Sequence, residues 1–362
     1  MNSRVGIITF HRAINYGALL QVYALHKSIE RLGANPVVLD YYNPILENKH
    51  EKSTLLKCKT LKDYIRFAFL ARHYNRKHDK FRSFASNNLN ISKPYYSLDD
   101  LRLDSASYDR FVCGSDQVWN GSITGLDPAY FLHFADNQKR NSYAASFGFR
   151  EVAESEQETY KNLLMGFQNM SVREKQGAEI VRRLLGREVE VVLDPTLLLT
   201  ADEWSKISVE PKYKDYILIY GFGGYRHLID FAINLSKKTG LKIVNIANPY
   251  LPKFGFSYER SAGPAEFLGL FKNASYIVTN SFHGTVFSIN FNKEFFTEML
   301  PESQGVNSRL EDVLDLFDLR NRQILSDDVS ESDRPIDYKL INTTLELERE
   351  KSLSFLRKII CE

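Results

Sequence analysis

His283 lies in VTNSFHGTVFS, where an apolar strand runs into a polar pair, an aromatic, the histidine, a glycine and the start of a helix. The first backbone N–H groups of a helix are not used within it and attract anions. A histidine at that place donates to a phosphate or carboxylate, or passes a proton. It also reads as a histidine hydrogen-bonded in a buried turn, and the residue types alone leave both readings in place. Asn280, Ser281 and Gly284 complete the turn. A second polar cluster, GSDQVWN at 114–120, follows another apolar run. Asp116 there suits a general base or a ligand for sugar hydroxyls, and Trp119 a stacking partner for a sugar ring. The plainer reading makes Asp116 a cap of the next segment. Arg173 and Arg309 each follow an apolar stretch. Arginine in such a place clamps carboxylate or phosphate bidentately, or else makes an internal salt bridge.

Ligands of open parallel sheets bind at the carboxyl ends of the strands, so the elements decide which of these residues matter. VGIITF is a short continuous apolar run, the mark of a strand buried on both faces. ALLQVYALHKSIERLG places Leu19, Val22, Ile29 and Leu32 on one helical stripe, with Gly33 to close it. NPVVLDYY follows as the next strand, which makes a β-α-β unit and implies a parallel sheet. Further strands are predicted at 108–116, 141–148, 171–172 and 188–195, the last one buried and stopped by Pro195. A second rhythm begins at DYILIYGF and continues through LKIVNIA, SYIVTN and KEFFTEM, with helices between them. The remaining polar or small residues just past predicted strands include Asn15, Gly17, Ser115, Ser146, Asp194, Gly221, Gly223, Gly224 and Asn248. YGFGGY is a Gly-rich strand-to-helix turn without the P-loop lysine, and it fits either a phosphate loop or a plain tight turn. No HExxH, GxSxG or EF-hand pattern occurs, so neither a metal nor a serine-hydrolase mechanism has support.

The fold expected is two doubly wound, Rossmann-like α/β domains with the site in the cleft between them. The first spans 1–200 and the second 212–325, with a polar hinge at 200–214 and a terminal helix over 337–362. Residues 44–105 interrupt the first domain. There Lys49, Lys52, Lys57, Lys59, Lys62, Arg66, Arg72, Arg76, Lys77, Lys80 and Arg82 outnumber Glu47, Glu51, Asp63 and Asp79, and aromatics interleave. The segment reads as a helical insert with one basic face. It is either a solvated helix pair covering the sheet edge or a surface that meets phosphates or an anionic membrane.

The chain has 362 residues, 43% hydrophobic and 25% charged, with a formal net charge of +2. That balance fits a globular protein of about two domains and names no nucleic-acid partner. Cys58, Cys113 and Cys361 are far apart and form no CxxC pair, against a zinc site and against a disulfide framework. A strand begins almost at once, without a leader, and no apolar run approaches the ~20 residues of a membrane span. The compartment expected is reducing and cytoplasmic, with peripheral contact at the inner face of the cell membrane left open by the basic insert.

The ordered series NYGALLQ, CGSDQVWN, SYAASFG, SVREK, LDPTLLL, ADEW, GPAEFLGLFKNASYIVTNSFHGTVFSINFNKEF and NSRLEDVL resembles the polysaccharide pyruvyl transferase family. The likeness runs from the first strand to about residue 320, apart from the basic insert. It implies the glycosyltransferase-B type of fold, with the terminal helix returning toward the first domain. It implies transfer of pyruvate from phosphoenolpyruvate to two hydroxyls of one sugar, giving a cyclic ketal. The acceptor would be a capsular or exopolysaccharide glycan or its precursor, including a polyprenyl-diphosphate-linked one, and no metal or cofactor is required. The residues matching the family's arginine and histidine are Arg173 and His283. The resemblance makes Arg173 the clamp for phosphoenolpyruvate from the first domain and His283 the proton donor from the second. Some relatives carry an arginine two residues before the histidine; Ser281 stands there here, and Arg309 is the candidate replacement. Asp194 and Asp116 are the candidate bases, and Asn280, Ser281, Gly284, Asn15, Gly17 and Trp119 fill out the substrate-binding set. Two other classes compete: a nucleotide-sugar-dependent glycosyltransferase, which the same two domains would serve, and a glycan- or anion-binding module that turns nothing over.

Overall fold

The computed structural model describes residues 3–46, 60–223, 226–247, 249, 252–301 and 307–361. Gly224, Asn248, Cys58 and residues 47–59 of the basic segment lie outside the described residues. The chain forms two compact units. The first comprises Met1–His50, Ala85–Leu199 and Asn342–Glu362, the second Glu51–Phe84 and Thr200–Ile341.

In the first unit the strands are β1 (Arg4–Ile8), β2 (Asn35–Tyr41), β3 (Ile91–Tyr95), β4 (Arg110–Cys113), β5 (Arg140–Ala145), β6 (Asn169–Val172) and β7 (Glu190–Val191). Their order is β3-β2-β1-β4-β5-β6-β7, and all neighbours are parallel. Val5, Ile7 and Ile8 are buried on both faces, which is why β1 reads as an unbroken apolar run. The Tyr16–Arg31 helix starts on the Asn15 side chain, which accepts from the backbone N–H of Ala18 at 3.3 Å. Phe355, Leu356, Ile359 and Ile360 of the terminal helix Tyr338–Cys361 join Val5, Ile7, Val112 and Tyr143 in one apolar cluster.

In the second unit the strands are β8 (Tyr216–Tyr220), β9 (Lys242–Asn245), β10 (Phe256–Tyr258), β11 (Tyr276–Thr279) and β12 (Glu294–Thr297). The order is β10-β9-β8-β11-β12, again all parallel. Each sheet therefore reverses its strand order once, between β1 and β4 in the first unit and between β8 and β11 in the second. The carboxyl ends at those two points are where an open α/β sheet offers its crevice.

Several elements differ from the sequence reading. The strand expected over 188–195 is only the two exposed residues of β7, an edge strand, before the chain turns inward at Val192. β3 and β10 are edge strands that the apolar pattern did not show; β3 carries Pro94, which only an edge tolerates. The expected hinge holds a short helix, Ala201–Lys206, with a capping box between Thr200 and Glu203. Among the described residues the basic insert contains one long helix, Leu61–Asn88, followed by β3 and a short helix, Leu98–Asp104. Among its described residues the cations differ in setting. Arg72 and Arg76 are exposed, but Lys80 pairs with Glu266 and Lys77 lies over the Phe81 ring. Burial pushes the Lys77 ammonium down to about 8. Residues 61–84 of this helix belong with the second unit, where the sequence placed the whole insert in the first. No helix among the described residues is long and apolar enough to cross a membrane.

Candidate active site

The carboxyl ends of β4, β5 and β6 in the first unit hold a buried ionic cluster. Arg173, one residue past β6, donates from Nη1 to Asp194 Oδ2 at 2.9 Å and to Ser115 Oγ at 3.4 Å. Its Nη2 lies 3.6 Å from Asp116 Oδ1 and its Nε 3.9 Å from Glu174 Oε2. The arginine, Glu174 and Asp194 side chains are at most 1% exposed, and that of Asp116 is 13% exposed. One guanidinium thus faces three carboxylates. Burial pulls its pKa down, but the charges of Asp194, Asp116 and Glu174 outweigh that and raise it.

The carboxylates are themselves held. Asp194 Oδ2 also accepts from Ser115 Oγ at 2.9 Å, and its Oδ1 from the backbone N–H and hydroxyl of Thr196 at 3.0 and 2.7 Å. Glu174 Oε1 accepts from Ser146 Oγ and the Phe147 N–H. Asp116 is different. Its backbone sits in the left-handed region at φ 78°, a strain of about 1–3 kcal/mol for a residue other than glycine. Its Oδ1 accepts from the neighbouring Gln117 N–H at 2.9 Å. Of the two candidate bases it is the one with a face toward solvent.

Trp119 needs correcting. Its side chain is fully buried, stacked on Phe131 at 6.0 Å and flanked by Phe147 and Phe167, with its indole N–H donated to the Tyr130 carbonyl. An indole inside an aromatic core offers no face to a sugar. Asn15 and Gly17 serve the start of the Tyr16–Arg31 helix, the former as its cap and the latter buried in its first turn.

In the second unit, β11 ends at Thr279 and the helix Phe282–Asn290 begins three residues later. Ser281 is the N-cap: its Oγ accepts from the Gly284 N–H at 3.3 Å. The Thr279 hydroxyl donates to the Tyr220 carbonyl and accepts from the Ser281 N–H. A Cβ on residue 284 would lie 2.2 Å from Thr279 Oγ1, so this close approach of helix to strand admits only glycine. Asn280 reaches across the strand-order reversal. Its Oδ1 accepts from the Phe222 N–H at 2.8 Å and its Nδ2 donates to the Phe222 carbonyl at 2.9 Å. Both ends of the amide are spent on the Gly-rich turn after β8, so Asn280 shapes the turn and does not offer itself to substrate as the sequence reading had it.

His283 therefore stands at the second position of a nine-residue helix, at the point where the strand order reverses. It is 8% exposed. Its ring meets the Phe282 ring edge to face at 5.1 Å, and the Arg309 guanidinium carbon lies 5.8 Å from the same phenyl centroid. Arg309 belongs to the helix Ser308–Leu316 and is half-buried. A histidine and an arginine thus flank one phenyl ring at a helix start.

The residue types past the strands also left two groups unnoticed. Glu298, just past β12, accepts from the N–H groups of Arg226 and His227 at 2.8 Å each and of Leu228 at 3.1 Å. The N-terminus of the Leu228–Thr239 helix, which the Gly-rich turn feeds, is thus filled by the chain's own carboxylate. A carboxylate directly after an apolar strand was the available signal. His11 and Arg12, past β1, both bind Asp40 Oδ1, at 2.8 and 2.7 Å. Burial would raise the Asp40 pKa, but the His11 and Arg12 contacts bring it down to about 2.

The polysaccharide pyruvyl transferase family model matches residues 15–297, most of the chain. The chain belongs to that family. It is thus a pyruvyl transferase acting on a glycan acceptor. No curated protein matches it in sequence. Among solved structures, the UDP-GlcNAc 2-epimerase of Methanocaldococcus jannaschii, in complex with UDP-GlcNAc and UDP, is similar in fold. It has a TM-score of 0.53 and 13% identity, over 96% of this chain and 93% of that one. The enzyme of Neisseria meningitidis bound to UDP-GlcNAc matches with a TM-score of 0.50 and 10% identity, over 97% and 100% of the two chains. MnaA of S. aureus with UDP gives 0.50 and 11%, over 99% and 91%. At these identities the likeness concerns the fold, and it makes this pyruvyl transferase a pair of Rossmann-like units of the glycosyltransferase-B type.

Proposed function

We propose that the enzyme takes its pyruvyl group from phosphoenolpyruvate and forms a cyclic ketal on two hydroxyls of one sugar. The observation that carries this reading is His283 on a helix start with Arg309 beside the same phenyl ring. Phosphoenolpyruvate brings a carboxylate and a phosphate, both of which a helix N-terminus and an arginine attract. In its protonated form His283 gives a proton to C3. C2 gains oxocarbenium character, a sugar hydroxyl attacks it, and that hydroxyl's proton passes to a base. The second hydroxyl then displaces phosphate at C2 and closes the ring. Of the two hydroxyl protons, one replaces the proton spent on C3 and the other leaves with phosphate, so no other reactant is consumed.

Asp116 is the base we favour. Asp194 is enclosed by four hydrogen-bond donors from Arg173, Ser115 and Thr196, which makes it a positioning residue. We assign Arg173 the same role rather than that of donor clamp. Three carboxylates around one guanidinium leave a net negative setting that opposes a phosphate. Glu298 in the N–H groups of the Leu228–Thr239 helix counts against a nucleotide diphosphate at that turn, and so against the glycosyltransferase reading.

The test is donor consumption in the presence of a mixed oligosaccharide pool. Phosphate released from phosphoenolpyruvate, with acid-labile pyruvate appearing on the glycan, supports the proposal. Nucleotide released from a sugar nucleotide, with phosphoenolpyruvate untouched, rejects it.

A further inference from the structure

Two pairs of consecutive tyrosines end neighbouring strands of the first unit, and the members of each pair do different things. Tyr41 and Tyr95, the last residues of β2 and β3, are buried. Their hydroxyls donate to Asp127 at 2.8 Å and Asp104 at 2.7 Å. Tyr42 and Tyr96, one step further, lie past the strands. The Tyr42 N–H donates to the Tyr95 carbonyl, which holds the two chain ends side by side. Their rings meet at 5.9 Å, tilted by 46°. Tyr96 is 68% exposed although its backbone N–H is fixed on Asp100. A single exposed tyrosine needs no explanation. An exposed tyrosine in ring contact with a half-buried one, at the carboxyl edge where parallel sheets hold ligands, does.

The groups beside them are polar and fixed. The Arg12 guanidinium carbon lies 5.8 Å from the Tyr42 ring centroid, and its Nη1 donates to Asp40. Asp40 is held in turn by His11 Nε2, and its backbone N–H donates to Ser92 Oγ. The side chains of Arg12 and Asp40 are 27% and 19% exposed, so both reach solvent. The Asp40 carboxylate, paired with Arg12, removes much of the pull that a bare arginine would exert on an anion.

From this geometry we propose that Tyr42 and Tyr96 form a stacking platform for a neutral pyranose ring, with Arg12 and Asp40 along its edge as partners for hydroxyls. A pyranose presents one face of C–H bonds and a rim of hydroxyls, which matches an aromatic face bordered by a donor and an acceptor. The sugar belongs to the glycan acceptor, and in that respect the inference rests on the function proposed above. The platform belongs to the first unit alone and holds the acceptor, not the phosphoenolpyruvate.

Ligand-observed saturation-transfer NMR tests it on the full chain, without phosphoenolpyruvate. The probes are methyl pyranosides of glucose, galactose, mannose and their N-acetylamino forms, with uridine as a flat-ring control. We expect at least one pyranoside to bind. Its signal should fall about two- to tenfold in Tyr96→Ala and Tyr42→Ala. It should persist in Tyr96→Trp, which keeps an aromatic face and shows that the loss is not unfolding. The inference fails if no pyranoside binds, if the Tyr42→Ala/Tyr96→Ala double variant binds as well as wild type, or if uridine alone binds. Sugar binding that depends on the tyrosines, in a chain that never releases phosphate from phosphoenolpyruvate, would uphold the platform and reject the transfer reaction. Phosphate release indifferent to both tyrosines would do the reverse.

Discussion

Two strand ends occupy the same kind of place in the two units and treat charge in opposite ways. Past β6 the chain places Arg173 among Asp116, Glu174 and Asp194, and buries all of the group but one face of Asp116. Past β11 it uses Asn280, Ser281 and Gly284 to shape the backbone, and sets His283 and Arg309 around one phenyl ring. The first arrangement spends its charges mainly on one another and leaves Asp116 a face toward solvent. The second spends its uncharged polar groups on geometry and puts a histidine and an arginine at a helix start. An arginine past a strand is therefore no guide by itself: what surrounds it decides whether it clamps a ligand or holds the protein together.

The largest effect that bears on this contrast is catalytic. His283→Gln should lower acceptor-dependent phosphate release by about 10²–10⁴-fold, the usual worth of a general acid, while the urea midpoint changes little. Unimpaired release would end the catalytic role of His283. Arg173→Ala should show the opposite pattern in stability. Removing one partner from a buried ionic group destabilises by roughly 3–5 kcal/mol, read by urea unfolding, since three carboxylates lose their common counter-ion. A loss below about 1 kcal/mol, the range of an exposed pair, would mean that the arginine is not the internal hub described here.

A second histidine sharpens the comparison. His26, on the Tyr16–Arg31 helix, is 4% exposed and accepts the Asn90 N–H at Nε2. Burial lowers its pKa to about 4 from an ordinary 6.5. The folded pKa lies below the unfolded one, so between those values the unfolded chain binds the proton and the folded chain does not. The contribution of His26 is complete above about pH 6.5 and is lost as pH falls toward 4. That loss is on the order of 3 kcal/mol. Unfolding at several pH values should show it, and His26→Gln should flatten the profile over that window; an unchanged profile would contradict the assignment. The smallest effect concerns the turn after β8. Glu298→Gln keeps the shape but removes the charge from three backbone N–H groups, and should cost about 1 kcal/mol. If it stabilises the chain instead, the carboxylate is not the natural occupant of that helix end.

Much of the fold was legible because β1, β2, β8 and β11 are buried on both faces and leave unbroken apolar runs. β3, β7 and β10 were not, because edge strands need no such run. The helix start at His283 could be read from Ser281 and Gly284, a cap and a residue without Cβ. The fate of Asn280 could not, since its partner Phe222 is 58 residues away. Trp119 misled for a related reason. A tryptophan past a strand looks available until Phe131, Phe147 and Phe167, all distant in sequence, close over it. Arg173 could be read as important from its position; that three carboxylates would converge on it depended on Asp116 and Asp194, which come from other strand ends.

The central claim is that the donor's charges are read at the His283 helix start and not by Arg173. Titration of phosphoenolpyruvate into the full chain by calorimetry, without acceptor, tests it most directly. Wild type should bind, and the His283→Gln/Arg309→Ala double variant should bind on the order of a hundredfold more weakly, the worth of one or two charge-assisted hydrogen bonds. Wild-type affinity in that double variant would contradict the account.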